Sequence, residues 1–296
     1  MNTHRIISSR EPLRPQPPLP FEAAQTYETT VLEWSGEALP DTIEVVKNCA
    51  YGPHEQHRYD VFGATGLRHA PILVFWHGGG WTNGYKEYVS FMADAVTRLG
   101  MVLVAPTYRL APENRLPAAF DDALAALGHV IGHASSFGGD PGRLYLAGHS
   151  AGAQIAALVA LRRRDAAQAG IDPDSIRACL PISGVMDLHH PEPIPGSMEE
   201  RVYSMVLRDA AEDALMSPLC WTACNTVPMY LSYGEFDSER VIRANQRMAA
   251  LLAQQPADCA VHMEPMLDHF ATHTTLRHAD GAWYRRLEQL IKRSPA

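Results

Sequence analysis

Cysteine is scarce in this 296-residue chain, and the five present (Cys49, Cys179, Cys220, Cys224, Cys259) are scattered and odd in number. That argues against a disulfide-stapled scaffold and is compatible with a reducing compartment. Cys220 and Cys224 could share one face of a helix. No second Cys/His pair stands at zinc-site spacing, so both are expected to be buried as small apolar side chains. No segment approaches 18 uninterrupted apolar residues, so no membrane-spanning helix is expected. The first residues carry no apolar stretch long enough for a signal peptide, which makes a cytoplasmic location the expectation. Positive charge is also in short supply. Lys+Arg total 25 against 33 Asp+Glu, a net charge of −8, and no basic stripe is visible. Nucleic acid and anionic membrane are therefore poor partners. The one dense basic run, Arg162-Arg163-Arg164, is expected at the C-terminus of a helix, where cations are favoured.

What is present is ordinary globular material, 46% hydrophobic and 20% charged. The length fits one α/β domain over residues 1–296. Residues 1–42 read as a proline-bearing arm (Pro12, Pro15, Pro17, Pro18, Pro20, Pro40) around a short helix near Phe21-Glu22-Ala23-Ala24. Ile43–Val46 and Arg58–Phe62 read as an antiparallel pair. Ile72–Trp76 and Val102–Ala105 are continuous apolar runs, as strands covered on both faces should be. Helical spacing marks Tyr88–Leu99, the face Phe120/Leu124/Leu127/Ile131, the face Val241/Ala244/Met248/Leu251, and a closing helix at Trp283/Leu287/Leu290/Ile291. Further strands are expected at Leu144–Ala147, Cys179–Ser183, Met229–Ser232 and Val261–Met263. This alternation predicts a mostly parallel sheet with helices on both faces. Residues 186–219, rich in proline and methionine, break the rhythm and read as an insertion above the strand ends.

The chemistry-bearing pattern centres on Gly148-His149-Ser150-Ala151-Gly152, between a strand and a helix. A serine at so sharp a turn is pushed outward on a strained backbone, and the flanking glycines let strand and helix approach. Acyl transfer also needs a base, an orienter for that base and donors for an oxyanion. His77-Gly78-Gly79-Gly80-Trp81, directly after a strand, can offer bare backbone amides to an oxygen. A phosphate loop is disfavoured because no Gly-Lys-Ser/Thr follows. His269 stands after the last strand, where the base should lie, with His273 and His278 as nearby rivals. Asp237 follows the penultimate strand, with Glu235 as its rival; Asp268 adjoins His269 too closely in sequence. His149 reads as a packed neighbour of the nucleophile. His77, Gly78, Trp81, His149, Met198, Tyr203 and Met205 are expected to shape the substrate pocket together with the arm.

On these residues, with Tyr108–Glu113, Pro117–Asp122 and His269-Phe270, the chain resembles the α/β-hydrolase superfamily over about residues 45–292. More narrowly, it is similar to hormone-sensitive-lipase-like esterases and the kynurenine formamidases related to them. The resemblance implies an eight-stranded, mostly parallel sheet capped by the arm and residues 186–219. It also implies a Ser150–Asp237–His269 triad, and an oxyanion hole made by the amides of Gly79, Gly80 and Ala151. Two positions depart from the esterase pattern: Thr107 stands where Asp is usual, and Ser238 stands where Pro commonly follows the acid. The segment Gly234–Ser238 and Tyr51-Gly52-Pro53 look more like the formamidase branch, which often has an aromatic where Gly80 stands. The expected activity is therefore ester hydrolysis through an acyl-enzyme, with arylformamide or other small-amide hydrolysis as the alternative. A non-catalytic ligand-binding relative is the third reading, disfavoured by His269. No metal or organic cofactor is expected; the partner is a small ester or amide, and a homo-oligomer is expected only from the habit of such families.

Overall fold

In the computed structural model, which describes residues 13–293, eight strands form one sheet in the order β1-β2-β4-β3-β5-β6-β7-β8. They are β1 (Ile43–Ala50), β2 (Arg58–Ala64), β3 (Ala70–Trp76), β4 (Val102–Pro106), β5 (Gly139–His149), β6 (Ile176–Ile182), β7 (Met229–Phe236) and β8 (Cys259–Asp268). β2 pairs antiparallel with both β1 and β4, and every other pairing is parallel. The parallel centre explains the composition of β3, whose seven residues are all buried because helices cover both of its faces. Ile72, Val74 and Trp76 point into one apolar layer, Leu73 and Phe75 into the other.

The helices are α1 (Glu22–Ser35), α2 (Ala93–Arg98), α3 (Ala118–His133), α4 (Ala151–Leu161), α5 (Arg163–Gln168), α6 (Met198–Arg201), α7 (Glu239–Leu252), α8 (Ala271–Thr274) and α9 (Ala282–Arg293). Residues of α3, α4 and α7 pack in the first layer, and those of α1, α2 and α9 in the second. All eleven residues of α4 are buried, as its near-absence of polar positions requires. Among the described residues no helix is long and apolar enough to cross a membrane.

Several expectations need correction. The helix expected over Tyr88–Leu99 is a 3₁₀ segment, Lys86–Met92, that passes into the short α2. On α7 the inward residue is Leu252, fully buried, while Leu251 is 38% exposed; the apolar stripe drifts with the 3.6-residue turn. The helix in the arm runs fourteen residues, well past Ala24. Residues 1–12 of that arm, Pro12 included, lie outside the described residues. Cys220 and Cys224 are exposed rather than buried, because they fall on a 3₁₀ turn and a left-handed turn at the surface. Of the arginine run, Arg162 stands at the C-cap of α4 as expected, whereas Arg163 and Arg164 open α5; Arg162 pairs with Asp165 and lies over the rings of Phe120 and Trp221, and Arg163 pairs with Asp174.

The two ends of residues 186–219 meet where the Leu219 amide donates to the Met186 carbonyl at 3.0 Å. Between them lie α6, a π-helical turn (Val202–Val206) and short 3₁₀ turns, fastened to Leu116 through Val206, Leu207 and Arg208.

Candidate active site

β5 runs into α4 with no connecting loop, so the two elements almost collide. A Cβ on Gly152 would sit 2.1 Å from the Trp76 carbonyl oxygen, and one on Gly148 would sit 2.5 Å from Gly152 itself. Ser150, between them, is held at φ 55°, ψ −118°, a conformation that L-residues rarely adopt. Its amide is anchored to the Ile182 carbonyl at 2.9 Å. The result is a hydroxyl raised at the carboxyl end of the sheet.

The other groups arrive at the same edge from neighbouring strands. β8 ends at Asp268, whose Oδ1 accepts from the amides of Phe270 and Ala271 and so turns the chain into α8. That turn presents His269, whose Nε2 lies 2.9 Å from Ser150 Oγ. β7 ends just before Asp237, whose Oδ1 accepts from His269 Nδ1 at 2.8 Å and from the Ser238 amide at 2.9 Å. Ser238 caps α7, with its hydroxyl accepting from the Val241 amide, which leaves Asp237 free for the imidazole. Burial pushes the Asp237 carboxyl upward. The hydrogen bond from His269 and its charge, together with Ser183 and the Ser238 amide, outweigh that and hold it below the usual carboxylate range.

The rivals are occupied elsewhere. Glu235 is exposed and accepts from the Met266 amide, bridging β7 to β8. Asp268 serves the turn just described. His278 is exposed on the approach to α9. His273 is fully buried, takes a hydrogen bond between its Nδ1 and the Tyr27 hydroxyl at 2.7 Å, and stacks on Phe75 and His149. His149 is likewise buried, and its Nε2 donates to the His269 carbonyl at 2.8 Å, steadying the backbone of that residue from behind.

The glycine loop after β3 is shaped by backbone demands that only glycine meets. Gly79 has φ +127°, and a Cβ there would lie 2.1 Å from the Asn83 carbonyl oxygen; Gly80 has φ +60°. The Gly79 carbonyl accepts from the amides of Thr82 and Asn83, closing the loop. Trp81 is locked by Nε1 donating to Gln154 on α4 at 3.0 Å. Ala151 opens α4, so its amide belongs to the first turn, which has no carbonyl partner within the helix. His77 is fully buried and stacked on Tyr108, and burial pushes its pKa down to about 4.

A cavity of about 90 Å³ opens beside Ser150 and His269. Of the expected pocket residues, Trp81, His149 and Met198 line it, as do Gly79 and Gly80. His77 and Gly78 are not among the described residues that line it. Tyr203 also lies away from it, its hydroxyl bonded to Asp213, Leu188 and the His190 amide, and Met205 packs against the core. The arm, expected at the pocket without named residues, supplies Leu19, Phe21, Ala24 and Tyr27; sequence reasoning missed Val185, Arg201 and Phe270. The arm residues carry a legible signal, since Ala24, Tyr27 and Val31 share one buried helical face; Arg201 carries none.

A model of the alpha/beta hydrolase fold matches residues 73–273, from β3 through α8. Among known proteins, the carboxylesterase NlhH of Mycobacterium tuberculosis is 43% identical over 96 residues, covering 32% of this chain and 30% of that protein. The esterase LipQ of the same organism is 30% identical over 200 residues, 63% of this chain and 48% of that protein. The chain thus matches less than half the length of these relatives. A solved esterase from Pyrobaculum calidifontis superposes with a TM-score of 0.76 at 20% identity, covering 93% of each chain, a likeness of fold. The matched stretch contains the glycine loop, the strained serine and both of its hydrogen-bonded partners, and the chain belongs to the α/β-hydrolase fold family.

Proposed function

We propose that this protein is a serine hydrolase that cleaves carboxylic esters of small substrates through an acyl-enzyme. The observation that carries the reading is the unbroken hydrogen-bond chain Asp237–His269–Ser150 at the carboxyl ends of adjacent strands. With Nδ1–H donating to Asp237, the His269 Nε2 lone pair faces the Ser150 hydroxyl and can take its proton as the oxygen attacks the carbonyl. The developing oxyanion meets the amides of Gly79, Gly80 and Ala151, each such donor being worth about 10²–10³ in rate. Collapse returns the proton from His269 to the leaving alcohol, and water repeats the cycle on the acyl-serine. The arm and residues 186–219 act as the cap: Leu19, Phe21 and Tyr27 from one, and Met198 and Arg201 from the other, wall the cavity. The names of NlhH and LipQ support ester hydrolysis as the reaction.

The segments Gly234–Ser238 and Tyr51-Gly52-Pro53, which look more like the formamidase branch, favour a second reading, formamide hydrolysis. One experiment separates the readings: fluorophosphonate labelling of Ser150, followed by turnover of 4-nitrophenyl acetate, butyrate and decanoate against N-formyl aryl amines. Labelling with turnover of the short esters, and little of the decanoate, is the expected result. A protein that labels but cleaves only formamides transfers the assignment to the second reading. One that neither labels nor turns over any member refutes both.

A further inference from the structure

Arg201 closes α6 and lines the cavity that holds Ser150, His269, Gly79 and Gly80. It is the only Lys, Arg, Asp or Glu among the described residues lining that cavity, whose other walls are largely apolar. Its neighbours in sequence leave it without a counter-charge. Glu199 pairs with Arg240 at 3.1 Å, and Glu200 accepts from the Gly196 amide at 2.6 Å. Among the described residues no carboxylate forms an ion pair with Arg201. Eleven other arginines do pair with carboxylates, as is expected in a chain with acidic residues in excess. Instead the Arg201 Nη2 donates at 3.2 Å to the hydroxyl of Thr82, the residue after Trp81. That contact fixes the guanidinium relative to the glycine loop while using one of its five donors. A half-buried guanidinium lining that cavity is available to an anion, and its planar fork matches a carboxylate in two parallel hydrogen bonds.

We infer that Arg201 is the anion-recognition residue of this site, and that the substrate is a small ester or amide bearing a carboxylate. The guanidinium binds that carboxylate while the scissile carbonyl meets Ser150. The inference rests on the hydrolase reading above and narrows its substrate class. The carboxylate could belong to the acyl part or to the leaving group, so the test contains both arms.

Two matched pairs serve: monoethyl succinate against ethyl butanoate, and 4-acetoxybenzoate against its methyl ester, followed by titration of released acid. The readout is the ratio of kcat/KM, anionic over neutral, in the wild type and in Arg201→Gln, Arg201→Lys and Arg201→Glu. In at least one pair the wild-type ratio is expected to exceed one. It should fall by about tenfold or more in Arg201→Gln, recover in part in Arg201→Lys and fall furthest in Arg201→Glu. Because a ratio is read, a general loss of activity or folding in a variant cancels. Ratios in both pairs that are the same in all four proteins overturn the inference while leaving the hydrolase reading intact. Absence of turnover on the neutral members as well, in the wild type, counts against that reading. Calorimetry of monoethyl succinate on Ser150→Ala then decides the anion site alone, which is refuted if adding Arg201→Gln leaves the affinity unchanged.

Discussion

Asp237 contributes one oxygen to the site, and its effect reaches Ser150 only through His269. Replacing it by Asn keeps shape and burial but lets an amide face the imidazole, favouring the tautomer whose Nε2 carries the proton. That nitrogen then cannot accept from Ser150. Asp237→Asn is expected to lower kcat by about 10³–10⁴ with little change in KM, since no bound-substrate contact is removed. Steady-state kinetics on a short ester check this, and a loss under tenfold contradicts the assigned role. Ser150 itself illustrates the same economy of parts. Its φ of 55° is tolerated because Gly148 and Gly152 let β5, α4 and the β3 carbonyls crowd around it.

At the scale of elements, α1 carries the arm to the cavity. Its Tyr27 packs against Phe270 and His149 and bonds to His273 at 2.7 Å across 246 residues of sequence, so the arm forms part of the wall behind His269. Tyr27→Phe removes the hydroxyl and strands a buried imidazole nitrogen, an effect of about 1–3 kcal/mol on stability. A urea-unfolding comparison should show a lower midpoint with an unchanged slope; an unchanged midpoint would contradict the packing described. Elements with strong local signals were legible in the chain. The apolar runs of β3 and β4, the pentapeptide at Ser150 and the glycine loop all announce their own surroundings. Asp237 and His269 were legible from their order after the last two strands. Contacts made only in three dimensions were not. Nothing local marks Tyr27 as the partner of His273, or Arg201 as a wall of the cavity. The Leu251 expectation failed because a stripe counted at fixed spacing ignores the drift of a real helix.

Across the whole molecule, buried histidines tie folding to pH. Burial, with His77 nearby, pushes His273 down to about 3, and burial pushes His77 to about 4. Burial, with the neighbouring His269 and His273, holds His149 well below the ordinary value. Between roughly pH 6.5 and 4 the unfolded chain therefore takes up protons that the folded one refuses. Stability from these groups is fully present above that window and falls with acidification through it. For His77 and His273 the loss is on the order of 2 kcal/mol each at pH 5. The Asp237 carboxylate, depressed in the fold, adds stability that is lost only at lower pH still. Urea midpoints should decline from pH 8 to pH 5; a midpoint that holds steady or rises would contradict this account.

The meeting of an early helix with a late turn has a bearing on biosynthesis. Ser150 leaves the ribosome 119 residues before His269 does, and the wall behind that imidazole needs both Tyr27 and His273. On the proposed reading, a nascent polypeptide carries its nucleophile unarmed, and hydrolytic competence arrives only once His269 has been made and has packed beside Ser150.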